Sequence, residues 1–546
     1  MQIVIPMSGF GERFRRAGYE TPKPLIVVDG KPIIHHVIDL FPGDHDFLFV
    51  CNESHLENPK FRMREILGEA GVRHRIHPIA PHKLGPVHAI LSAKELLDPE
   101  LETIVNYADF TCLWNFEDFC EAVSDPNISG AVPAYRGFHP HSGGTTNYAY
   151  IRESNLVLEA IREKQPFTDV KTEEFASTGT YYFENARTMF HYLERQVKEN
   201  IHVSEEFYVS SAFDLMAKDN KNVLVYEIRH FMQWGTPQDL AEYEFWSKQL
   251  AVLSGLGRDS LPITAVGSAL FLASGLGSRF TSKGYNTPKP LLRVAGQTIL
   301  EQVRKAAGNE GEFLLSSLKS SEIADFFELK DLGSAIVLSE LSGGQADSAS
   351  ILVSELPVGF EGAFTVFPTD TLFADSTGDL QQTASKAETV TVWIQSPAHF
   401  NFENPESFGW IGVTDNGVWT AVKSEPPSSA CFVMSGAFSF SSPRLFKRLH
   451  EKLSEPGALV NGERYLDSIV QVAIDLGVQV QLFKPTFTLS LGTPYEFETY
   501  RYWQSCFDRW NSHPYSLEKD VFVLEGNIES LRQELLQTRH KPEEWG

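Results

Sequence analysis

The sequence predicts an α/β chain in which one mostly parallel, doubly wound sheet is built twice. Three observations predict it. A short apolar run near the N-terminus ends in a glycine-bearing turn. The same turn recurs 266 residues later. After each turn, apolar runs of strand length alternate with stretches of helical spacing, the pattern of crossover connections.

The first turn lies in residues 2–34, QIVIPMSGFGERFRRAGYETPKPLIVVDGKPII. Ile3-Val4-Ile5 reads as a strand and Ser8 to Gly11 as a phosphate-binding turn. Gly9 and Gly11 let backbone approach an anion, and amides exposed in such a turn make a concave donor surface. Arg13 can grip phosphate oxygens bidentately, while Lys23 acts more as a point charge. Pro22 and Pro24 restrict where Lys23 points. Residues 268–299, SALFLASGLGSRFTSKGYNTPKPLLRVAGQTI, repeat this pattern. From Ser8 and Ser274 to Ile33 and Ile299 there are 15 identities in 26 positions, which places Arg13 on Arg279 and Lys23 on Lys289. The chain reads as an internal duplication, with Gly275 and Gly277 forming the second turn.

A length of 546 residues accommodates two units of about 250 residues, each able to bury a core. The expected boundaries are 1–250, a linker at 251–266, 267–511 and a C-terminal extension at 512–546. The net charge of −24 argues against general binding to nucleic acid or anionic membranes. Five cysteines without a CxxC pair predict reduced thiols, a cytoplasmic setting and no structural zinc. No apolar run is long enough to cross a membrane, and no signal peptide is expected.

Along the chain, residues 31–41 have helical spacing, 46–51 read as a strand, 61–69 as a helix and 72–79 as a strand. Gly85 opens a helical stretch, and Gly344 occupies the matching place. Residues 103–109 and 364–370 are apolar strands ending in Asp109 and Asp370. Ligands bind beyond the carboxyl ends of such strands, so both aspartates are expected to hold magnesium. His139 and His141 lead into a loop rich in Gly, Ser and Thr, which includes Gly144 and Thr145. That loop is read as surrounding a polar substrate rather than a metal. Asp239 reads as an acidic residue in the first turn of a helix. Residues 528–536 read as a short amphipathic helix for docking or for a partner.

Taken together, SGFGERF with TPKPL, the GPVHA turn, the strand ending at Asp109, EKQP, STGTYYF and WGTP resemble the sugar-phosphate nucleotidyltransferase (NDP-sugar pyrophosphorylase) family. The resemblance spans nearly all of residues 1–245 and, with fewer pieces, 268–505. A dinucleotide fingerprint would need a third glycine where Phe14 stands. The resemblance implies two tandem Rossmann-like nucleotidyltransferase domains, each a mostly parallel mixed sheet flanked by helices. It implies transfer of NMP from an NTP to a phosphorylated acceptor, with Mg2+ and release of pyrophosphate. By the same resemblance, Ser8, Gly9 and Gly11 hold NTP phosphates, and Arg13 steadies the pyrophosphate. Lys23 lies at the α-phosphate or the incoming phosphate. Gly85 lies near the base, Lys164 binds the acceptor phosphate, and Gly144, Thr145 and Gly179 line the acceptor pocket. Gly275, Gly277, Arg279, Lys289 and Gly344 would bind nucleotide in the second unit.

Many members of the family carry a second metal-binding aspartate where this chain has Gln233 and Ser490. Glu205, Glu206 or Asp239 would then have to replace it, or water. The first unit looks most like nucleotidyltransferases of bacterial capsule and surface-polysaccharide clusters, some of which use CTP and non-sugar phosphates. A nucleotide-sensing protein with weak catalysis is the alternative of another class. Opposite Lys164, aligning the prolines puts Lys423 one place early, so the second unit is expected to keep its nucleotide half better than its acceptor half. The base, the acceptor and the oligomeric state, a homo-oligomer included, are left open.

Overall fold

The computed structural model describes residues 1–143, 148–256, 267–308, 311–319, 322–377, 380, 388–415, 417–455 and 459–537. Two compact units divide the chain between Ser247 and Lys248.

In the first unit, strand Gln2–Met7 runs parallel to Asp46–Asn52 on one side and to Thr103–Asn106 on the other. Strand His74–Ile79 extends the parallel half. Ile3, Val4 and Ile5 are all fully buried although successive side chains face opposite ways, so both faces of the sheet are covered. Beyond Thr103–Asn106 the sheet becomes mixed. Thr180–Phe183 joins antiparallel, Gly130–Tyr135 follows, and Val223–Glu227 lies parallel to that strand. The hairpin Ala149–Ser154 with Val157–Glu163 completes the outer part. A separate ribbon pairs Phe110–Leu113 with His230–Gln233 and sets Phe110 opposite Gln233.

The second unit has its own mixed sheet. Ser268–Ala273 is parallel to Phe313–Leu318 and Phe364–Pro368, and Phe313–Leu318 to Ser334–Leu338. Phe432–Phe440 joins antiparallel between Phe364–Pro368 and Thr389–Gln395, and Gln479–Phe483 closes that edge in parallel. The hairpin Gly409–Thr414 with Gly417–Val422 hangs on Phe432–Phe440. A ribbon again stands apart, Thr371–Ala374 with Phe487–Ser490.

Two expectations need correction. The expected linker at 251–266 begins too early, because helix Pro237–Leu256 runs six residues into it. Leu250 and Leu253 are buried on that helix, and burial overrides the helix-weakening effect of Ser254 and Gly255. Residues 257–266 lie outside the described residues. The helix expected over 31–41 is confined to Ile33–Ile38, with Asp39 at its C-cap.

The terminal helix Ile528–Leu535 docks within the second unit, on helix Pro494–Arg509. Leu531 is buried, Arg532 pairs with Asp508 at 2.8 Å, and Glu534 pairs with Arg501 at 2.9 Å. Among the described residues, no helix is long and apolar enough to cross a membrane. Among the described residues no cysteine is in a disulfide.

Candidate functional site

The glycine turn, the strand ends and the ribbon converge on one ion pair in each unit. Lys23 Nζ donates to Asp109 Oδ2 at 2.8 Å, and Lys289 Nζ donates to Asp370 Oδ2 at 2.6 Å. Both lysines open a short 3-10 turn fixed by flanking prolines, which carries the ammonium back to the strand end. Burial works to raise the Asp370 carboxyl, but Lys289, Thr371 and Arg279 outweigh it and hold the group below the usual carboxylate range.

Gly11 and Gly277 sit at φ +63° and +61° and lead into the short helices that carry Arg13 and Arg279. Arg13 is exposed on its helix. Ser8 is buried, its hydroxyl 3.3 Å from His82 Nε2, and the His82 ring packs edge-on to His88 at 4.6 Å. In the second unit Ser274 instead meets Ser348 at 2.9 Å, and Ser348 meets Ser342 at 2.6 Å. Sequence reasoning singled out Ser8 but missed the partners His82, Ser348 and Ser342, because no motif marks a lone His or Ser there.

The ribbon closes the other side. Trp234 N donates to Asp109 O at 2.8 Å, and Leu491 N donates to Asp370 O at 2.7 Å. A Cβ on Gly235 would lie 2.8 Å from Gln233 Nε2 and 3.4 Å from Asp109 Oδ2, so Gln233 stands beside Asp109. Asp239 accepts from Thr236 N at 3.0 Å and returns a bond from its own amide to Thr236 Oγ1 at 3.1 Å, a capping box that commits its carboxylate to the helix. Burial, with Asp109 adding to it against the bonds from Thr236 and Gln233, raises the Asp239 carboxyl.

Metal chemistry can be judged from these donors. Among the described residues, no group of three or more His, Cys, Asp or Glu is arranged to hold a metal. Asp109 Oδ1 accepts no hydrogen bond among them, and the surrounding donors are oxygen and amide. Mg2+ commonly takes one or two carboxylates and completes its shell with water and substrate phosphates, so the donor set fits that ion. His139 and His141 bring no third ligand and pack against Tyr135, with ring centroids at 4.4 and 5.3 Å.

On the acceptor side, Lys164 follows strand Val157–Glu163 at φ +60°, and its amide donates to Tyr148 O at 2.8 Å. Its ammonium donates to Tyr208 Oη at 2.7 Å and lies 4.6 Å from the ring centroid, while Tyr208 donates in turn to Glu206. Glu163 next to it accepts from Ser210 Oγ at 2.7 Å. Burial raises the Glu163 carboxyl, and the Ser210 bond and Lys164 oppose it. Gly179, at φ +98°, packs against Tyr107 and Phe110, where a Cβ would lie 3.0 and 3.2 Å away. Gly144 and Thr145 lie outside the described residues.

Lys423 requires a correction. It stands at the station of Lys164, not one place early: φ is +52°, its amide donates to Phe408 O at 3.0 Å, and its ammonium lies 5.3 Å from the Tyr465 centroid. Aligning the prolines misplaced it because the turns after the two lysines differ in length. Lys423 Nζ donates to Ser407 O at 2.5 Å. Burial lowers its pKa, with Asp467 opposing.

Burial also pushes the Asp467 carboxyl up to about 6, with Lys423 as the opposing influence. The unfolded value is near 4, so between those two values the folded state binds the extra proton and stability falls as pH rises. Asp467→Asn is therefore expected to stabilise the second unit at pH 8 by on the order of 1 kcal/mol, a shift discounted for partial exposure. The gain disappears below about pH 4. Thermal melts at the two pH values check it.

Residues 3–245 match the family model described as "Nucleotidyl transferase". A bifunctional protein GlmU of Methanococcus maripaludis strain C5 is 24% identical over 267 residues, 48% of this chain and 59% of that protein. Mannose-1-phosphate guanyltransferase beta-B of Xenopus laevis is 24% identical over 245 residues, 44% of this chain and 62% of that protein. The chain thus spans about three fifths of these curated relatives. Among solved structures, a nucleoside-diphosphate-sugar pyrophosphorylase from Vibrio cholerae RC9 is 20% identical with a TM-score of 0.38, covering 44% of this chain and 99% of that one. Residues 3–245, nearly the whole first unit, are thus the part of the chain that is similar to nucleotidyl transferases.

Proposed function

We propose that the first unit is a nucleotidyltransferase that moves NMP from an NTP to a phosphorylated small molecule and releases pyrophosphate. The observation that carries this reading is the Lys23–Asp109 pair, held at 2.8 Å and matched in the second unit by Lys289–Asp370 at 2.6 Å. The name of one curated relative, a mannose-1-phosphate guanyltransferase, favours a sugar phosphate as acceptor, and use of the product as a surface-polysaccharide precursor follows from the resemblance in sequence. A cytidylyltransferase acting on a non-sugar phosphate is the narrower alternative.

The chemistry needs little covalent help from the protein. The acceptor phosphate is an anion near neutral pH and attacks the α-phosphorus in line. A new P–O bond forms, the α–β bridging bond breaks, and pyrophosphate departs with the electron pair. The protein positions the two phosphates and balances their charge. Ser8, Gly9 and Gly11 would cradle the NTP phosphates, Arg13 would hold the pyrophosphate end, and Lys23, beside Asp109, would meet the reacting phosphates. Lys164 would bind the acceptor phosphate, and Gly179 would keep that pocket open. Asp109 would hold Mg2+, which when bound neutralises charge on phosphate oxygens. In the second unit Gly275, Gly277, Gly344, Arg279 and Lys289 would bind nucleotide, with Asp370 as the carboxylate, so that the two units form a tandem pair. Cysteines held outside any disulfide would suit a reducing, cytoplasmic setting.

Steady-state pyrophosphate release with Mg2+, across four NTPs and a panel of phosphorylated acceptors, tests the reading. Lys164→Met is expected to raise the acceptor KM at least about tenfold and leave the NTP KM within about twofold, the signature of a group that touches only the acceptor. Equal changes in both constants would remove Lys164 from that role. Gln233 and Ser490, standing where a second carboxylate would serve a metal, favour one other reading, nucleotide sensing with little turnover. The absence of pyrophosphate release with every acceptor would select it.

A further inference from the structure

The two units surround their acceptor-side lysines with the same groups, delivered from different places. In the first unit the register pair of the hairpin is Ala149 opposite Glu163, and Glu163 is held by Ser210 at 2.7 Å. In the second unit the corresponding pair is Gly409 opposite Val422. The strand carboxylate is gone, and Asp467 stands on helix Leu466–Asp475, two residues after Tyr465, as Ser210 stands two residues after Tyr208. A Cβ on Gly409 would lie 2.3 Å from Asp467 Oδ2. Alanine, tolerated at the matching position of the first unit, would there push the Asp467 carboxylate aside. Three changes therefore act together: the strand loses its acid, the helix gains one, and the facing residue loses its Cβ to admit it.

The rest of the station is intact. Glu206 and Glu463 each close a one-pair bridge, with Val203 and Val460, two residues before the tyrosine. Gly85 and Gly344 each press on the backbone between them, at Phe207 and Arg464. Lys423 makes no salt bridge within 4 Å among the described residues, and one carbonyl occupies only one of its three donors. Asp467 accepts no hydrogen bond among them and keeps part of its surface exposed. Two opposite charges brought near each other, each short of partners, suit a ligand more than a fold-stabilising pair, which would close into contact. Arg279 and Glu463 both act on the charge of Lys423. Glu463 also lines a cavity of about 650 Å³ with Gly277, Lys289, Gly344 and Asp370.

We propose that the second unit is a second transfer centre with an acceptor of its own: a phosphomonoester whose phosphate meets Lys423 and whose other end offers Asp467 a hydroxyl or ammonium donor. This rests on the reading of the first unit as a nucleotidyltransferase. The step is the same: the acceptor phosphate oxygen bonds to the α-phosphorus, the α–β bridge breaks, and pyrophosphate leaves with the electron pair, so no other reactant is needed. Because the acid approaches from the helix side, the two centres select different acceptors.

The test uses the full chain, the four NTPs with Mg2+, and phosphomonoesters bearing hydroxyl or ammonium groups. Lys23→Ala removes the first centre. In that background, pyrophosphate release is expected to persist with at least one acceptor. Adding Lys423→Met is expected to reduce it at least about 100-fold. Adding Asp467→Asn is expected to raise the acceptor KM about tenfold without moving the NTP KM. Gly409→Ala, which displaces the carboxylate without deleting it, is expected to reproduce the Asp467→Asn effect. The triple change Gly409→Ala, Val422→Glu and Asp467→Ser is expected to shift preference towards the acceptor of the first unit. Release from wild type that Lys23→Ala abolishes with every acceptor, in a chain that still melts cooperatively, would overturn the second centre and leave the first standing. No release from wild type at all would instead overturn the reading of the first unit, and this inference with it.

Discussion

Replacing Lys23 with alanine is expected to lower pyrophosphate release by the first unit about 1,000-fold, with the acceptor KM little changed. The size follows from position. The ammonium stands 2.8 Å from Asp109, just past strand Thr103–Asn106, in a turn whose prolines restrict where it points. A cation fixed in advance at developing phosphate charge contributes far more to rate than a mobile one does, because it does not reorganise during reaction. The stability cost is much smaller. The two side chains are 24% and 29% exposed, so solvent screens the pair and its loss costs about 1 kcal/mol. Lys23→Arg keeps the charge but not the point-like geometry, and only partial recovery is expected. A rate for Lys23→Ala within tenfold of wild type, measured on folded protein, would remove Lys23 from the reacting centre.

Much of this site was legible because its residues sit at fixed spacing in one short stretch. Glycine, proline and lysine at constant intervals specify a turn almost without tertiary context, and the strand-ending Asp109 and Asp370 followed from the carboxyl-end rule for open sheets. The parts that were not legible depend on long-range closure. Tyr208 reaches Lys164 across 44 positions, and Ser8 meets His82 across 74. No local pattern records such pairs. Lys423 was misplaced for a related reason: a proline fixes a turn, but the length of the turn decides which neighbour lies over Tyr465. The role of Asp239 was half legible. Its place in a first turn was clear, whereas the Thr236 partner that occupies it emerges only when the helix is capped. The helix through Leu256 escaped notice because Gly255 and Ser254 suggest a loop, and burial of Leu250 and Leu253 overrode them.

Gly85→Ala is expected to carry the largest stability cost of any single change at the first site, about 3 kcal/mol, seen as a fall of roughly 6–12 °C in the melting of that unit. Gly85 adopts φ +84°, and a Cβ there would lie 2.7 Å from both Phe207 N and Phe207 O. Those two atoms are already engaged: Phe207 N donates to Leu84 O at 3.0 Å, and Phe207 O accepts from Val87 N at 3.2 Å. Backbone cannot swing aside as a side chain can, so the methyl group must break at least one of these bonds as well as strain its own φ. The displaced segment carries Glu206 and Tyr208, so Lys164 is expected to lose its partner and the acceptor KM to rise in the same variant. Gly9 provides the contrast. Its φ is ordinary, and an added Cβ would meet nothing within 4 Å. Nothing in the fold requires glycine there, only the close approach of an anion. Gly9→Ala is therefore expected to melt like wild type and to raise the NTP KM at least about tenfold. If Gly85→Ala melted normally, the clamp on Phe207 would not govern the unit. If Gly9→Ala bound NTP normally, the turn would not be where the phosphates lie.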